Sequence, residues 1–253
     1  MSHNSERAAA PGPGELPQQD VYIDAPRPDV EPYLPRQGVR RALDVGCGRG
    51  GFAATLRAAL GPDPYLLGIE SVPSQAEYAR QHSAFDRVIT GYFPQVLDGD
   101  QDQTFDLITF NDVLEHIVDP WTTLAATRAH LAPGGKVIAA IPNIRYAPVM
   151  WQLARGRWDY TDMGTLDRTH VRFFTRATMI EMFEGVGYRV ESCEGANPVY
   201  IEWAGGKPPP GVFAPKRRIR RAIATTIGRG ASRALGEAAF LHFVVVATPL
   251  ETP

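Results

Sequence analysis

The run Leu43-Asp44-Val45-Gly46-Cys47-Gly48-Arg49-Gly50-Gly51-Phe52 sets an acid two residues ahead of three alternate glycines. Glycine tolerates positive φ and, lacking Cβ, lets backbone approach a ligand more closely than any side-chained residue does. Phe52, Leu56 and Leu60 then recur at helical spacing, so the loop opens a helix whose first N–H groups face whatever the glycines cradle. Read as Gly46, Gly48 and Gly51, the same letters satisfy a dinucleotide fingerprint, and a ligand-free turn is a third reading of the glycines alone. Glu70 closes the next apolar run, and an acid there accepts both hydroxyls of a ribose, in an adenosyl or a nicotinamide cofactor alike. Asp44 separates the two, because an acid at the loop's mouth attracts a positively charged ligand end and repels a pyrophosphate.

The elements that must hold these residues alternate along the chain. The pattern predicts strand 41–46, helix 51–60, strand 65–70, helix 74–82, strands 87–91 and 105–110, helix 120–131 and strand 136–141. Helix 176–185, strand 188–195 and a last apolar strand over 240–247 follow. Such alternation calls for a parallel sheet with helices on both faces. Residues 1–37, rich in proline and glycine, read as a flexible arm, leaving 38–253 as a single domain. With 253 residues, 44% hydrophobic and 21% charged, the chain is long enough for one large core and too short for two. Net charge −2 and pI about 6.3 argue against a nucleic-acid partner. Two cysteines, no signal-peptide pattern and no apolar run near the ~20 residues of a membrane span suggest a reducing, cytoplasmic setting.

Asp44-Val45-Gly46-Cys47-Gly48-Arg49-Gly50 resembles the first motif of the class I S-adenosylmethionine-dependent methyltransferases, acid-x-Gly-x-Gly-x-Gly. Phe105 to His116 is similar to that family's fourth strand and following turn. Leu131 to Asn143 is similar to its Pro-Gly-Gly turn and fifth strand. The resemblance implies a Rossmann-like sheet of seven strands, mostly parallel, with the last inserted antiparallel. It implies S-adenosylmethionine as cofactor, with backbone at Gly46, Cys47, Gly48 and Gly50 facing the methionine moiety and Glu70 holding the ribose. Asn111, Asp112 and Val113 would lie near the sulfonium and amino group, beside Asp44, and His116 on the cofactor side. The family's adenine-contacting acid after strand three is absent; Tyr92 or Phe93 stands there instead. A helix or turn cap is the plainer role for Asn111 and Asp112.

Two stretches exceed the minimal fold, 142–175 and 198–237, where the family usually builds its acceptor pocket. The first is dense in aromatic and ionisable groups and resembles a bacterial branch linked to sugar, surface-polysaccharide and secondary-metabolite modification. Methyl transfer to a hydroxyl needs a proton acceptor, for which His170 is the candidate base, with Asp167 orienting it or binding a sugar hydroxyl. Trp158 and Tyr160 would form a stacking wall, and Asn143, Tyr146 and Arg172 would complete the acceptor contacts. The rival reading makes Asp167, Arg168, His170 and Arg172 a polar lock onto the Thr175 helix cap. No metal is expected, since Asp159, Asp162 and Asp167 have no converging spacing. In the second stretch, 216–229 reads as a basic amphipathic helix: a pocket cap, a dock for an anionic or carrier-linked acceptor, a peripheral membrane contact, or a solvated helix. N- or C-methylation, a non-catalytic adenosylmethionine-binding module, an NAD-dependent reductase and RNA or protein methylation are the alternatives to O-methylation of a small molecule or glycan.

Overall fold

Alternate residues of a strand point to opposite faces of its sheet, and a strand covered on both faces is apolar throughout. Leu43, Val45, Leu67, Ile69, Ile108, Phe110, Val137 and Ile141 are of this kind and line one core with Leu124, Met179, Met182 and Phe183. Ala42, Leu66, Leu107, Ile138, Val244 and Val246 face the other way, against Phe52, Leu56 and Leu60. The computed structural model describes residues 26–97, 104–198 and 234–250. Its strands are β1 (Arg41–Val45), β2 (Tyr65–Glu70), β3 (Arg87–Thr90), β4 (Phe105–Asn111), β5 (Leu131–Pro142), β6 (Tyr188–Pro198) and β7 (Phe240–Pro249). The α-helices are α1 (Ala53–Ala59), α2 (Pro73–His82), α3 (Pro120–Thr127), α4 (Ala147–Ala154) and α5 (Arg176–Gly185).

These strands form one sheet of seven in the order β3-β2-β1-β4-β5-β7-β6. The pairs from β3 to β5 are parallel, and β7 runs antiparallel between β5 and β6. The expected architecture is therefore present, antiparallel last strand included. Strand order reverses between β1 and β4, and in open sheets of this type the crevice beyond the carboxyl ends at the reversal is where ligands bind. The glycine loop after β1 and the Asn111–His116 turn after β4 both sit at that crevice.

Three features depart from the sequence reading. β5 begins at Leu131 rather than 136, because Leu131 already pairs with Phe105 before a register shift at the Pro133-Gly134-Gly135 turn. Helix α4 forms inside the 142–175 stretch, with a proline in its first turn where a missing N–H costs nothing. The last part of the expected flexible arm is packed: a 3-10 turn at Glu31–Tyr33 leaves Val30 and Leu34 buried against α1. Residues 1–25 and the basic stretch 216–229 lie outside the described residues. No described helix is long and apolar enough to cross a membrane.

Candidate functional site

The loop after β1 is held by the acid that ends β2. Glu70 Oε2 accepts from Gly48 N at 2.8 Å and Oε1 accepts from Val72 N at 2.8 Å, which fixes a buried carboxylate at the mouth of the loop. Gly46 and Gly48 have φ of +70° and +54°. A Cβ on Gly46 would lie 2.5 Å from Val113 Cγ2, so the glycine lets the turn after β4 close down on the loop. Gly50 serves packing instead, its absent Cβ making room for Ser83 at the end of α2. Cys47 is buried, with Sγ against Gly68 of β2.

Asp44 is buried at the end of β1 and accepts from Thr109 Oγ1 at 2.6 Å and Asn111 Nδ2 at 3.3 Å, both on Oδ1. Burial pushes its carboxyl up to about 7, against the two hydrogen bonds that favour the anion. Asn111 Oδ1 is buried with no hydrogen-bond partner. A carboxylate and an amide oxygen short of donors suit an ammonium group, and a fixed carboxylate at Glu70 suits a vicinal diol. The residues thus fit the amino-acid and ribose ends of an adenosylmethionine. The unfolded-state pKa of an aspartate is about 4, so the stability tied to Asp44 is full below pH ~4 and falls as pH rises to about 7. In Asp44→Asn that loss should vanish. Melting without cofactor at pH 5 and pH 8 should show the variant gaining on the wild type by on the order of a few kcal/mol; a difference independent of pH would refute the assignment.

Asp112, at φ +54°, turns the chain after β4 and anchors a polar ring. Its Oδ2 accepts from Arg27 Nη1, and His242 Nε2 of β7 lies 2.9 Å from Oδ1. Burial alone would raise this carboxyl, but His242 and Arg27 hold it well below the usual carboxylate range. Arg27 also forks onto Asp29, which accepts from Asn197 Nδ2 at 3.0 Å. Arg27 and His242 escaped the sequence reading: one lies in a proline-rich stretch, the other on a strand of otherwise apolar letters.

One turn further on, Glu115, His116 and His170 meet. Val171 N and Arg172 N donate to Glu115 O at 2.9 and 3.0 Å, docking the 165–173 loop onto the turn. The Glu115 side chain is 1% exposed and neither carboxylate oxygen has a hydrogen-bond partner. Burial, then the charge of Asp112, push its carboxyl well above the usual range. Burial lowers both histidines, so both are neutral near pH 7. His170 Nδ1 lies 3.1 Å from Thr165 O and must be its protonated nitrogen, leaving the Nε2 lone pair toward Glu115 Oε1 at 3.9 Å. His116 Nδ1 faces Thr169 O at 3.3 Å and Oγ1 at 3.1 Å. That hydroxyl donates to Asp167 Oδ1 at 2.7 Å, so His116 Nδ1 is also the donor. The two rings stand 4.7 Å apart at 81°.

The other expected residues separate into groups. The acid facing His170 is Glu115, which the sequence reading passed over, while the Asp167 carboxylate accepts from Thr169 N and Oγ1. The His116 ring stands edge-on to that of His170. Trp158 and Tyr160 are partly exposed and continue through Phe173 toward His170 as a chain of edge-to-face rings. Asn143, Tyr146 and Arg172 are each engaged by protein partners. Asn143 is fully buried and commits both amide hydrogens to Glu237 O and Phe240 O; Tyr146 packs on Val149 and Leu166; Arg172 donates to Val118 O at 2.9 Å. At the end of β3, Tyr92 is 72% exposed, whereas Phe93 packs on Phe110 and His130. Asp159 and Asp162 pair with Arg157 and Arg168 at the surface.

Residues 18–193 match the family described as a methyltransferase domain. A ubiquinone biosynthesis O-methyltransferase of Cereibacter sphaeroides is 28% identical over 182 residues, 70% of this chain and 71% of that enzyme. One of the same description from Xanthomonas euvesicatoria is 29% identical over 168 residues, 64% of this chain and 67% of that enzyme. Among solved structures, an S-adenosylmethionine-dependent methyltransferase of Archaeoglobus fulgidus superposes with TM-score 0.59 at 17% identity, over 86% of this chain and 90% of that one, a likeness of fold.

Proposed function

This chain belongs to the methyltransferase-domain family, and from that membership we propose that it methylates a hydroxyl oxygen of a small molecule or sugar. The cofactor is S-adenosylmethionine, which when bound supplies a methyl group already activated on a sulfonium sulfur. Asp44 and Asn111 would hold its ammonium group and Glu70 its ribose. Backbone at Gly46, Cys47 and Gly48 would line its methionine part, with Asp112 and Val113 closing from the β4 side. The protein's own work is to align the acceptor oxygen, exclude water and take up the hydroxyl proton.

The observation that carries oxygen as the target is the buried Glu115–His116–His170 cluster beside the β4 turn, with two neutral imidazoles near pH 7. An amine or a soft carbon nucleophile has less need of such a group. The Cereibacter and Xanthomonas relatives, described as O-methyltransferases, support the same atom. The ring chain Tyr160–Trp158–Phe173 offers a wall for a flat or ring-shaped acceptor. His170 is the proton-handling residue of this reading. Asp167 acts one step back, through Thr169 and His116.

The test is product analysis by mass spectrometry after incubation with adenosylmethionine and matched acceptors: phenols, catechols and sugars against the corresponding amines. Methylation of hydroxyl members, falling ~100-fold or more in His170→Gln with adenosylhomocysteine binding intact, is expected for a lost proton acceptor. Methylation of the amines alone would overturn the assignment.

A further inference from the structure

We propose that the cleft between the 28–33 turn and the end of β6 is an acceptor subsite for a neutral polyhydroxylated ring, a pyranose of a sugar or glycoside. The inference deepens the methyl-transfer reading: it rests on that reading for calling the ring an acceptor, and not for the binding itself.

β6 is antiparallel to β7 and β7 to β5, so β6 runs with β4 and β5 and its last residues reach the same sheet edge as the cofactor crevice. The cleft there holds about 270 Å³, between Pro28, Asp29, Pro32 and Tyr33 on one side and Ala196 and Asn197 on the other. Cavities for drug-sized ligands start near ~300 Å³, so this one has room for a single ring. Its walls are fixed before any ligand arrives. The two prolines lock their own φ, and Val30 and Leu34 anchor the turn in the core beneath α1. Asn197, at φ +51°, sets its amide against Asp29 Oδ2 at 3.0 Å. Asp29 is joined through Arg27 to Asp112, so cleft and crevice share one hydrogen-bonded ring.

The chemistry of the walls selects the ligand. None of the described residues lining the cleft is a lysine or arginine. Arg27, behind the wall, spends three of its five N–H groups on Asp29 and Asp112. Burial opposes the Asp29 anion, but the Arg27 fork holds its carboxyl below the usual range. An anionic ligand thus finds no free cation, and an ammonium finds the carboxylate already paired. Burial, then the charges of Glu194 and Asp29, raise the Tyr33 hydroxyl, which keeps its proton. Among the described residues that hydroxyl has no hydrogen-bond partner, and Asn197 spends its Nδ2 on Asp29 and His242 with Oδ1 left over. A donor–acceptor and an acceptor are what a pair of sugar hydroxyls satisfies. Pro28, Pro32 and the Tyr33 ring offer apolar surface to the C–H face of the same ring. The Arg27–Asp112 pair stands between the cleft and the crevice, so a pyranose held here anchors the acceptor beside the hydroxyl that is methylated.

The experiment titrates the full chain, with adenosylhomocysteine present, against the methyl glycosides of glucose, galactose, mannose and rhamnose, with glucosamine and glucose 1-phosphate alongside. Saturation-transfer NMR and calorimetry read the binding. At least one neutral glycoside should bind saturably and more tightly than either charged sugar. Tyr33→Phe should weaken that glycoside about threefold or more, and Asn197→Gly, which keeps the positive φ, about tenfold or more, for the hydrogen bonds lost. The melting temperature and adenosylhomocysteine Kd of Tyr33→Phe should remain near wild type. No saturable glycoside binding would overturn the subsite, as would a charged sugar bound as tightly, or wild-type glycoside affinity in either variant. Failure of the methyl-transfer reading is distinguishable, since it would appear as absent adenosylhomocysteine binding in a protein whose glycoside binding both variants still weaken.

Discussion

Replacing Glu70 with alanine is expected to raise the Kd for S-adenosylhomocysteine by a hundredfold or more. The carboxylate is buried and held between Gly48 N and Val72 N, each at 2.8 Å, so its remaining lone pairs are fixed before any ligand arrives. Two hydrogen bonds from ribose hydroxyls to a charged acceptor contribute about 1.5–3 kcal/mol each, and every 1.4 kcal/mol is about tenfold in affinity. Alanine removes both and leaves two backbone donors without their acceptor, loosening the loop that the cofactor must meet. Glu70→Gln keeps the shape but turns an NH2 toward one of those donors, and should fall between the two. Calorimetric titration with adenosylhomocysteine measures all three proteins. A folded alanine variant that binds within threefold of wild type would refute the ribose role.

Gly46→Ala should lower the melting temperature by about 5–10 °C. At φ +70° an L-residue is strained by about 1–2 kcal/mol, and the new Cβ would fall 2.5 Å from Val113 Cγ2. Overpacking of this kind costs a further ~1–3 kcal/mol and pushes the β4 turn away from the loop. Gly38→Ala separates the two causes. Gly38 has φ +84° and nothing within 4 Å of its added Cβ, so it carries the strain without the clash. Differential scanning calorimetry should find the Gly38 loss less than half that at Gly46. Equal losses would mean that the closeness of Val113 is immaterial.

Much of the scaffold was legible because its signals are local. Asp44, the spaced glycines and Glu70 are each set by the strand end they occupy, and the structure puts all of them at one crevice. α5 was equally plain, bounded by Thr175, whose side chain and that of Thr178 form a reciprocal cap. The acceptor side was less legible because its signals are not local. Nothing in Leu114-Glu115-His116 says that a loop fifty residues later will cover the glutamate, and only that covering isolates it from solvent. Asn143 and Arg172 looked like pocket residues by type. Their partners, Phe240 O and Val118 O, are backbone atoms that no side-chain pattern announces. The packed end of the N-terminal stretch was missed because Val30 and Leu34 stand among prolines, where periodicity gives no signal.

β6 ends where β7 begins: Pro198 and Phe240 are partners across the same antiparallel pair. Residues 199–239 therefore leave and rejoin the sheet at adjacent positions. The entropy of closing such a connection grows only by about 0.6 kcal/mol for each doubling of its length. Evolution can lengthen, shorten or exchange that stretch as a cassette while β1 to β5 and the cofactor crevice are inherited unchanged.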